Sequence, residues 1–135
     1  YTTDHDARTF TETLPFRTGL GHTDGDGWRR NLRAPGGGPY RVFTPLCVLD
    51  FETPDGRARL RAVNPGVTPD EVQEATGFEL VIPDAVGESV PPTDEELTVL
   101  RTIVDPLGVR QAEFKSMRAD ANARIEAARL AREAA

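Results

Sequence analysis

Leu46-Cys47-Val48-Leu49-Asp50-Phe51, then Thr53-Pro54-Asp55-Gly56, then Arg57-Ala58-Arg59-Leu60-Arg61-Ala62-Val63, is the stretch that decides the fold. The signal from Tyr40 to Phe51 is that of a strand, and its run Leu46 to Leu49 is continuously apolar, as in a strand covered on both faces. Pro45 cannot donate a ladder hydrogen bond, so pairing there is expected to be interrupted, or the position to lie at an edge or bulge. Thr53-Pro54-Asp55-Gly56 is turn chemistry, because proline pre-sets φ and glycine tolerates a positive φ. The returning strand alternates: Arg57, Arg59 and Arg61 point one way, and Ala58, Leu60 and Ala62 the other. The segment is therefore a hairpin.

Outward from the hairpin, the two ends of the chain differ. Fifteen of the 23 glycines and prolines lie between Pro15 and Gly66, and the last 27 of the 135 residues contain none. Residues 1–16 offer short β-prone pieces, broken at Asp4-His5-Asp6 and at Pro15. Residues 17–39 read as a long glycine-rich loop, and loops of that length in compact domains are usually functional or disordered. Downstream, Asn64-Pro65-Gly66 turns the chain. Thr68-Pro69-Asp70-Glu71 opens a helix with a capping box, and Gly77 is placed to end it. Phe78 to Ile82 is expected as a short strand stopped by Pro83. Thr93-Asp94-Glu95-Glu96 repeats the capping box, and Leu97, Leu100, Ile103 and Val104 form one apolar face of the next helix. Gln111 to Ala135 is Ala-rich and is expected as a long helix whose thin stripe comprises Phe114, Met117, Ala121, Ile125 and Ala128. The expected organisation is residues 1–110 as one portion and 111–135 as the C-terminal helix.

Composition excludes several classes. Sixteen Lys and Arg against 22 Asp and Glu leave a net charge of −6, the opposite of the basic face of a nucleic-acid binder. No run approaches the ~18 apolar residues of a membrane span, and no secretory leader is expected. The single cysteine, Cys47, cannot form an internal disulfide, so a cytoplasmic protein is expected. The first residue is Tyr1 and the only methionine is Met117. The chain is thus expected to be a processed or truncated piece, with Tyr1-Thr2-Thr3 the end of a strand that begins upstream.

Candidate chemistry is sparse. Gly19-Leu20-Gly21-His22-Thr23-Asp24 has Asp where a dinucleotide fingerprint needs its third Gly. His22 to Gly27 suggests a calcium loop, but the twelfth position is Arg33 where a bidentate Glu is needed. Two histidines and one cysteine are too few for a zinc site, so no metal is expected. Gly36-Gly37-Gly38-Pro39 allows close backbone approach to a ligand, and successive N–H groups there can form an anion-binding nest; plain tight chain passage is the competing reading. The Arg57, Arg59, Arg61 row could receive phosphates or an acidic partner, or simply be a solvated face. Cys47 in its apolar run reads as an inert thiol. Glu71, Glu95 and Glu96 are explained by helix starts, and neither Glu12 nor Glu52 has an evident activating neighbour. No catalytic residue is therefore assigned. Gly36, Gly37, Gly38, His22 and Asp24 are the candidate substrate-binding residues.

The order of pieces is itself distinctive. Pro35-Gly36-Gly37-Gly38-Pro39 precedes Arg41 to Phe51, then come the Pro-Asp-Gly turn and the basic strand. Asn64-Pro65-Gly66-Val67-Thr68-Pro69-Asp70-Glu71-Val72 and Ala75-Thr76-Gly77-Phe78-Glu79-Leu80 follow. Over roughly Thr2 to Arg110 this resembles the C-terminal half of the β subunit of family I CoA-transferases. Within the group it looks most like the β subunit of the CoA-thioester hydrolase that opens the last rings in actinobacterial steroid breakdown. Pro45 and Asp4 depart from the family pattern, where acidic and Glu residues are usual. The resemblance implies an α/β fold, the C-terminal part of an open mixed or parallel sheet. It also implies an α-subunit partner in a heteromer, an acyl-CoA substrate with coenzyme A as substrate rather than cofactor, and a catalytic glutamate outside this chain. True CoA transfer to a carboxylic acid and a non-catalytic interaction module are the alternatives.

Overall fold

The computed structural model describes residues 1–16, 18–19, 21–22, 31–33 and 36–134, which form two compact units, Tyr1–Val90 and Pro91–Ala135. The first unit is built on β1 (Arg41–Phe43), β2 (Cys47–Asp50), β3 (Arg59–Val63), α1 (Pro69–Glu74) and β4 (Gly87–Glu88). The sheet runs β1-β2-β3-β4; the first two pairings are antiparallel and the third is parallel. It is the open mixed sheet expected for the fold class.

The Tyr40–Phe51 stretch is not one strand. It folds back on itself as the β1–β2 hairpin, with Arg41 opposite Asp50 and Phe43 opposite Val48. The reversal sits at Thr44-Pro45-Leu46. Thr44 N–H donates to the Cys47 carbonyl at 3.0 Å, while the Thr44 hydroxyl accepts from the Leu46 and Cys47 amides at 3.1 and 2.9 Å. Pro45 is suited to a turn, since its fixed φ pre-forms the bend and its missing donor costs nothing there. The expected second hairpin is present: Gly56 N–H bonds the Thr53 carbonyl at 3.1 Å, and β2 pairs with β3.

Phe78–Ile82 is not a strand either. Only Val81 bridges to β3 and its approach, donating to Ala58 and accepting from Leu60. The Gln73 side chain takes the neighbouring backbone groups, donating to the Phe78 carbonyl and accepting from the Leu80 amide. A glutamine amide thus stands where a ladder partner would otherwise be. The β-prone residues 1–16 likewise make a turn, because the Asp6 carboxylate accepts from the Arg8 and Thr9 amides. Thr11 alone bridges, to Gly77.

Helix α1 begins as expected, with both halves of the Thr68/Glu71 capping box formed. Its Val72 is fully buried and joins Cys47, Leu49, Leu60, Val63 and Leu80 in the core. Burying each such side chain stabilises by roughly 1.5–3 kcal/mol, before conformational entropy is counted. The core therefore lies directly behind β2 and β3, and it fixes where their polar ends project.

The second unit holds α2 (Asp94–Val99), a π-helical segment Leu100–Val104, a 3-10 segment Val109–Glu113 and α3 (Arg118–Glu133). The Thr93/Glu96 capping box is formed. The expected apolar face is present but open, Ile103 being 73% and Val104 68% exposed. The expected helix from Gln111 is shorter, because the chain first makes the 3-10 segment; Arg118 Nε then donates back to the Ala112 carbonyl at 2.9 Å. Among the described residues no helix is long and apolar enough to cross a membrane.

Candidate functional site

Strand register brings five charged side chains together at one end of the sheet. Asp50 lies opposite Arg41 on one side and Arg59 on the other, at the end of β2. Its side chain is fully buried, and Arg59 donates to it twice, Nε to Oδ1 and Nη2 to Oδ2, both at 2.8 Å. Such a fork is the strongest arrangement a guanidinium makes with a carboxylate. Arg61 Nη1 stands 3.4 Å from Asp50 Oδ2, and Arg41 Nη1 4.0 Å from it. Glu52, just beyond the strand, accepts from Arg41 at 2.7 Å and Arg59 at 2.9 Å, with Arg61 at 3.7 Å.

Electrostatics follow from this packing. The Arg59 hydrogen bonds, above all, hold the Asp50 carboxyl down at about 2, against the opposing effect of burial. Arg41 does the same for Glu52 in direction. Both carboxylates are therefore fixed as anions, which suits them to position cations and not to exchange protons near neutrality.

Two members of this cluster, Arg41 and Glu52, also line a cleft of about 340 Å³ together with His22, Gly37, Gly38, Pro39, Tyr40 and Phe51. Its walls are made of rings and bare backbone. The His22 and Phe51 rings lie 4.4 Å apart, and the Arg41 guanidinium stacks 4.0 Å over the Tyr40 ring. His22 Nε2 bonds the Pro39 carbonyl at 2.5 Å. A carbonyl only accepts, so Nε2 carries the proton that it donates to Pro39. Gly38, at φ +92°, lies so close that a Cβ there would meet His22 Cε1 at 2.9 Å.

Of the residues singled out from sequence, Gly37, Gly38 and His22 line this one cleft. Gly36 adjoins it in the chain, at φ +69°. Asp24 lies outside the described residues, as does Asp26, the other carboxylate of the calcium-like loop. Among the described residues no group of three His, Cys, Asp or Glu side chains could hold a metal ion. Glu52 does have charged neighbours, three arginines that meet it only through the fold and hold it as an ion-paired anion. The signal that could have found them is the register across the Pro-Asp-Gly turn, which sets the Asp50-Phe51-Glu52 alternation against that of Arg59-Leu60-Arg61. Arg57 leaves the row, pairing with Asp55 at 3.0 Å and approaching Glu79 at 4.0 Å.

A second polar cluster closes the other end of β2. His5 stacks on Phe10 at 4.2 Å, with Nδ1 2.9 Å from Thr44 Oγ1 and Nε2 2.9 Å from Thr76 Oγ1. Cys47 Sγ is 3.8 Å from His5 Nδ1. That approach does not make a nucleophile. Burial pushes the thiol up and the imidazole down, so neither takes its charged form readily. The thiol itself is fully buried.

No family profile matches the chain. It is 36% identical over 96 residues to a 3-oxoadipate CoA-transferase subunit of Pseudomonas knackmussii, covering 71% of this chain and 37% of that protein. It is likewise 36% identical over 113 residues to the cholesterol ring-cleaving hydrolase IpdB subunit of Mycobacterium tuberculosis, covering 84% and 44%. The crystal structure of Rhodococcus jostii RHA1 IpdAB superposes with a TM-score of 0.70 at 33% identity, over 84% of this chain and 45% of that one. The chain thus spans about two-fifths of the length of the curated relatives it matches.

Proposed function

We propose, from the premise that this chain belongs to the β subunits of the family I CoA-transferases, that it forms one wall of an acyl-CoA-processing site shared with an α subunit. The reaction is hydrolytic, in the ring-opening stage of steroid breakdown: water cleaves either the CoA thioester, releasing CoA, or a ring carbon–carbon bond of the acyl group, leaving CoA on the opened product. The match that extends over 84% of the chain to a cholesterol ring-cleaving hydrolase subunit is the observation that carries this reading. Transfer of CoA to a carboxylic acid is the second reading, favoured by the equal identity to a 3-oxoadipate CoA-transferase.

The residues present suit a wall more than a centre of bond-making. A thioester-attacking carboxylate must be free to leave its counter-ions and bond to carbon. Asp50 and Glu52 are instead held by the arginines around them. On this reading the nucleophile or general base is supplied from outside this chain. What this chain supplies is a cleft with two aromatic walls, glycine backbone open to a ligand, and an adjoining positive cluster. Those are features that hold and orient a long anionic thioester.

The test is co-expression of the complete β chain with its α partner, followed by measurement of free CoA release and of ring opening, using a cyclic acyl-CoA with and without an added carboxylate. Free CoA without acceptor, or an opened product that keeps its CoA, supports hydrolysis. Release only as a new CoA ester, when acceptor is supplied, moves the assignment to transfer. No turnover in either condition, from a correctly assembled complex, overturns both in favour of a non-catalytic interaction module.

A further inference from the structure

Three guanidinium groups meet only two carboxylates at the end of β2, so Arg41, Arg59, Arg61, Asp50 and Glu52 together carry one uncompensated positive charge. The surplus sits on Arg61. Arg41 is committed to Glu52 and the Tyr40 carbonyl, and Arg59 forks onto Asp50. Arg61 reaches the carboxylates through Nη1 only. Among the described residues its Nε and Nη2 make no hydrogen bond, and its side chain is 48% exposed.

Backbone geometry sets Arg61 apart as well. The β2–β3 register slips between Val48 and Leu49: Leu49 faces Leu60 while Val48 faces Ala62, so Arg61 is the additional residue of a β-bulge. Bulges re-aim single side chains and gather beside binding and active sites. Here the bulge turns Arg61 toward Asp50 and leaves the Nε/Nη2 edge outward. That edge is two parallel donors at the spacing of two oxygens of a carboxylate or phosphate.

We propose that Arg61, anchored through Asp50 and Glu52, is a receptor for a phosphate-type oxyanion. On the acyl-CoA reading above, on which this identity rests, the anion is a phosphate group of CoA. Glu52 links the two features, since it lines the cleft and also stands 3.7 Å from Arg61. A ligand seated between Tyr40, Phe51 and His22 would therefore have a cation at the rim of its berth. A broad acidic partner surface fits less well. Arg57 has turned away to Asp55 and Glu79, so the row predicted from sequence is a point receptor and not a continuous basic strip.

The experiment follows the Arg Nε–H resonances of the ¹⁵N-arginine-labelled chain during titration with inorganic phosphate, CoA and dephospho-CoA. Phosphate and CoA are expected to shift Arg61 Nε–H, more weakly as salt is raised. CoA is expected to bind roughly tenfold more tightly than dephospho-CoA if the 3′-phosphate is the group bound. Equal shifts by the two would assign the diphosphate instead. Arg61→Gln should abolish the shift-linked affinity, and Arg61→Lys, which keeps charge but loses the fork, should restore only part of it. Absence of any Arg61 response to phosphate or CoA overturns the receptor, even if the co-expressed complex turns over acyl-CoA. A response to phosphate alone, from a chain whose assembled complex has no acyl-CoA turnover, removes the CoA identity and leaves the oxyanion receptor. Loss of α-subunit association in Arg61→Gln, with no anion response in the parent, overturns it in favour of partner docking.

Discussion

Asp50 on β2 and Arg59 on β3 are in-register neighbours joined by two 2.8 Å hydrogen bonds, with the carboxylate fully buried. Removing one member of a buried pair leaves the other charge uncompensated, which costs about 3–5 kcal/mol. Asp50→Asn keeps the shape and discards the charge, leaving three arginines around Glu52 alone. Its expected loss is about 3 kcal/mol in urea unfolding at neutral pH. An unchanged midpoint would show that the pair contributes nothing net.

The same carboxylate sets an acid limit. Its folded value of about 2 lies below the ordinary 3.8, so the unfolded chain takes up the proton first as pH falls. The stability it contributes is complete above pH 3.8 and is lost as pH drops through about 2. Urea midpoints between pH 2 and 5 should fall for the parent chain, and Asp50→Asn should remove that part of the slope.

His5 produces a second dependence at higher pH. The Thr76 hydroxyl donates its one proton to the Val72 carbonyl at 2.7 Å, so its oxygen must accept from His5 Nε2–H. The Nε2–H donor thus joins the N-terminal turn to Thr76, just past the end of α1, and burial lowers the imidazole below 6.5. Stability is full above pH 6.5 and declines below it until the folded value is passed, because the unfolded chain protonates first. His5→Gln should flatten that segment of the stability profile, and ¹⁵N shifts of the ring should report Nε2 as the protonated nitrogen.

Adjacent glycines should behave differently. Gly38 combines φ +92° with a Cβ position 2.9 Å from His22 Cε1, whereas Gly37 has nothing within 4 Å. Gly38→Ala is expected to cost about 1–3 kcal/mol and to part the His22 and Phe51 rings. Gly37→Ala should be close to neutral. Parallel thermal unfolding of the two variants checks this, and equal losses would contradict the cleft geometry.

Cys47 should resist thiol reagents in the folded chain, because it is fully buried and its thiol is pushed up by burial. Labelling should appear only as denaturant opens the sheet. Fast stoichiometric labelling in buffer would refute the inert reading.

Much of the frame is legible in one dimension. The capping boxes at Thr68 and Thr93 form because the residues that make them lie within one turn of each other. The Pro-Asp-Gly hairpin is legible for the same reason, as is the burial of Cys47, Leu49 and Leu60. The β1–β2 reversal was hidden by apolar residues on both sides of Pro45, which read as one strand. Its decisive contacts are from the Thr44 side chain to backbone two and three residues on. The missing strand at Phe78–Ile82 depended on a competitor, the Gln73 amide, which propensity does not register.

Local order along the chain determined the turns, the helix starts and the family pattern, since each rests on residues a few positions apart. Tertiary structure alone decided that Asp50 would be buried among Arg41, Arg59 and Arg61, and that one bulge would leave the edge of Arg61 open. A charge cluster depends on register between strands, and a slip of one residue is a packing outcome that composition does not encode.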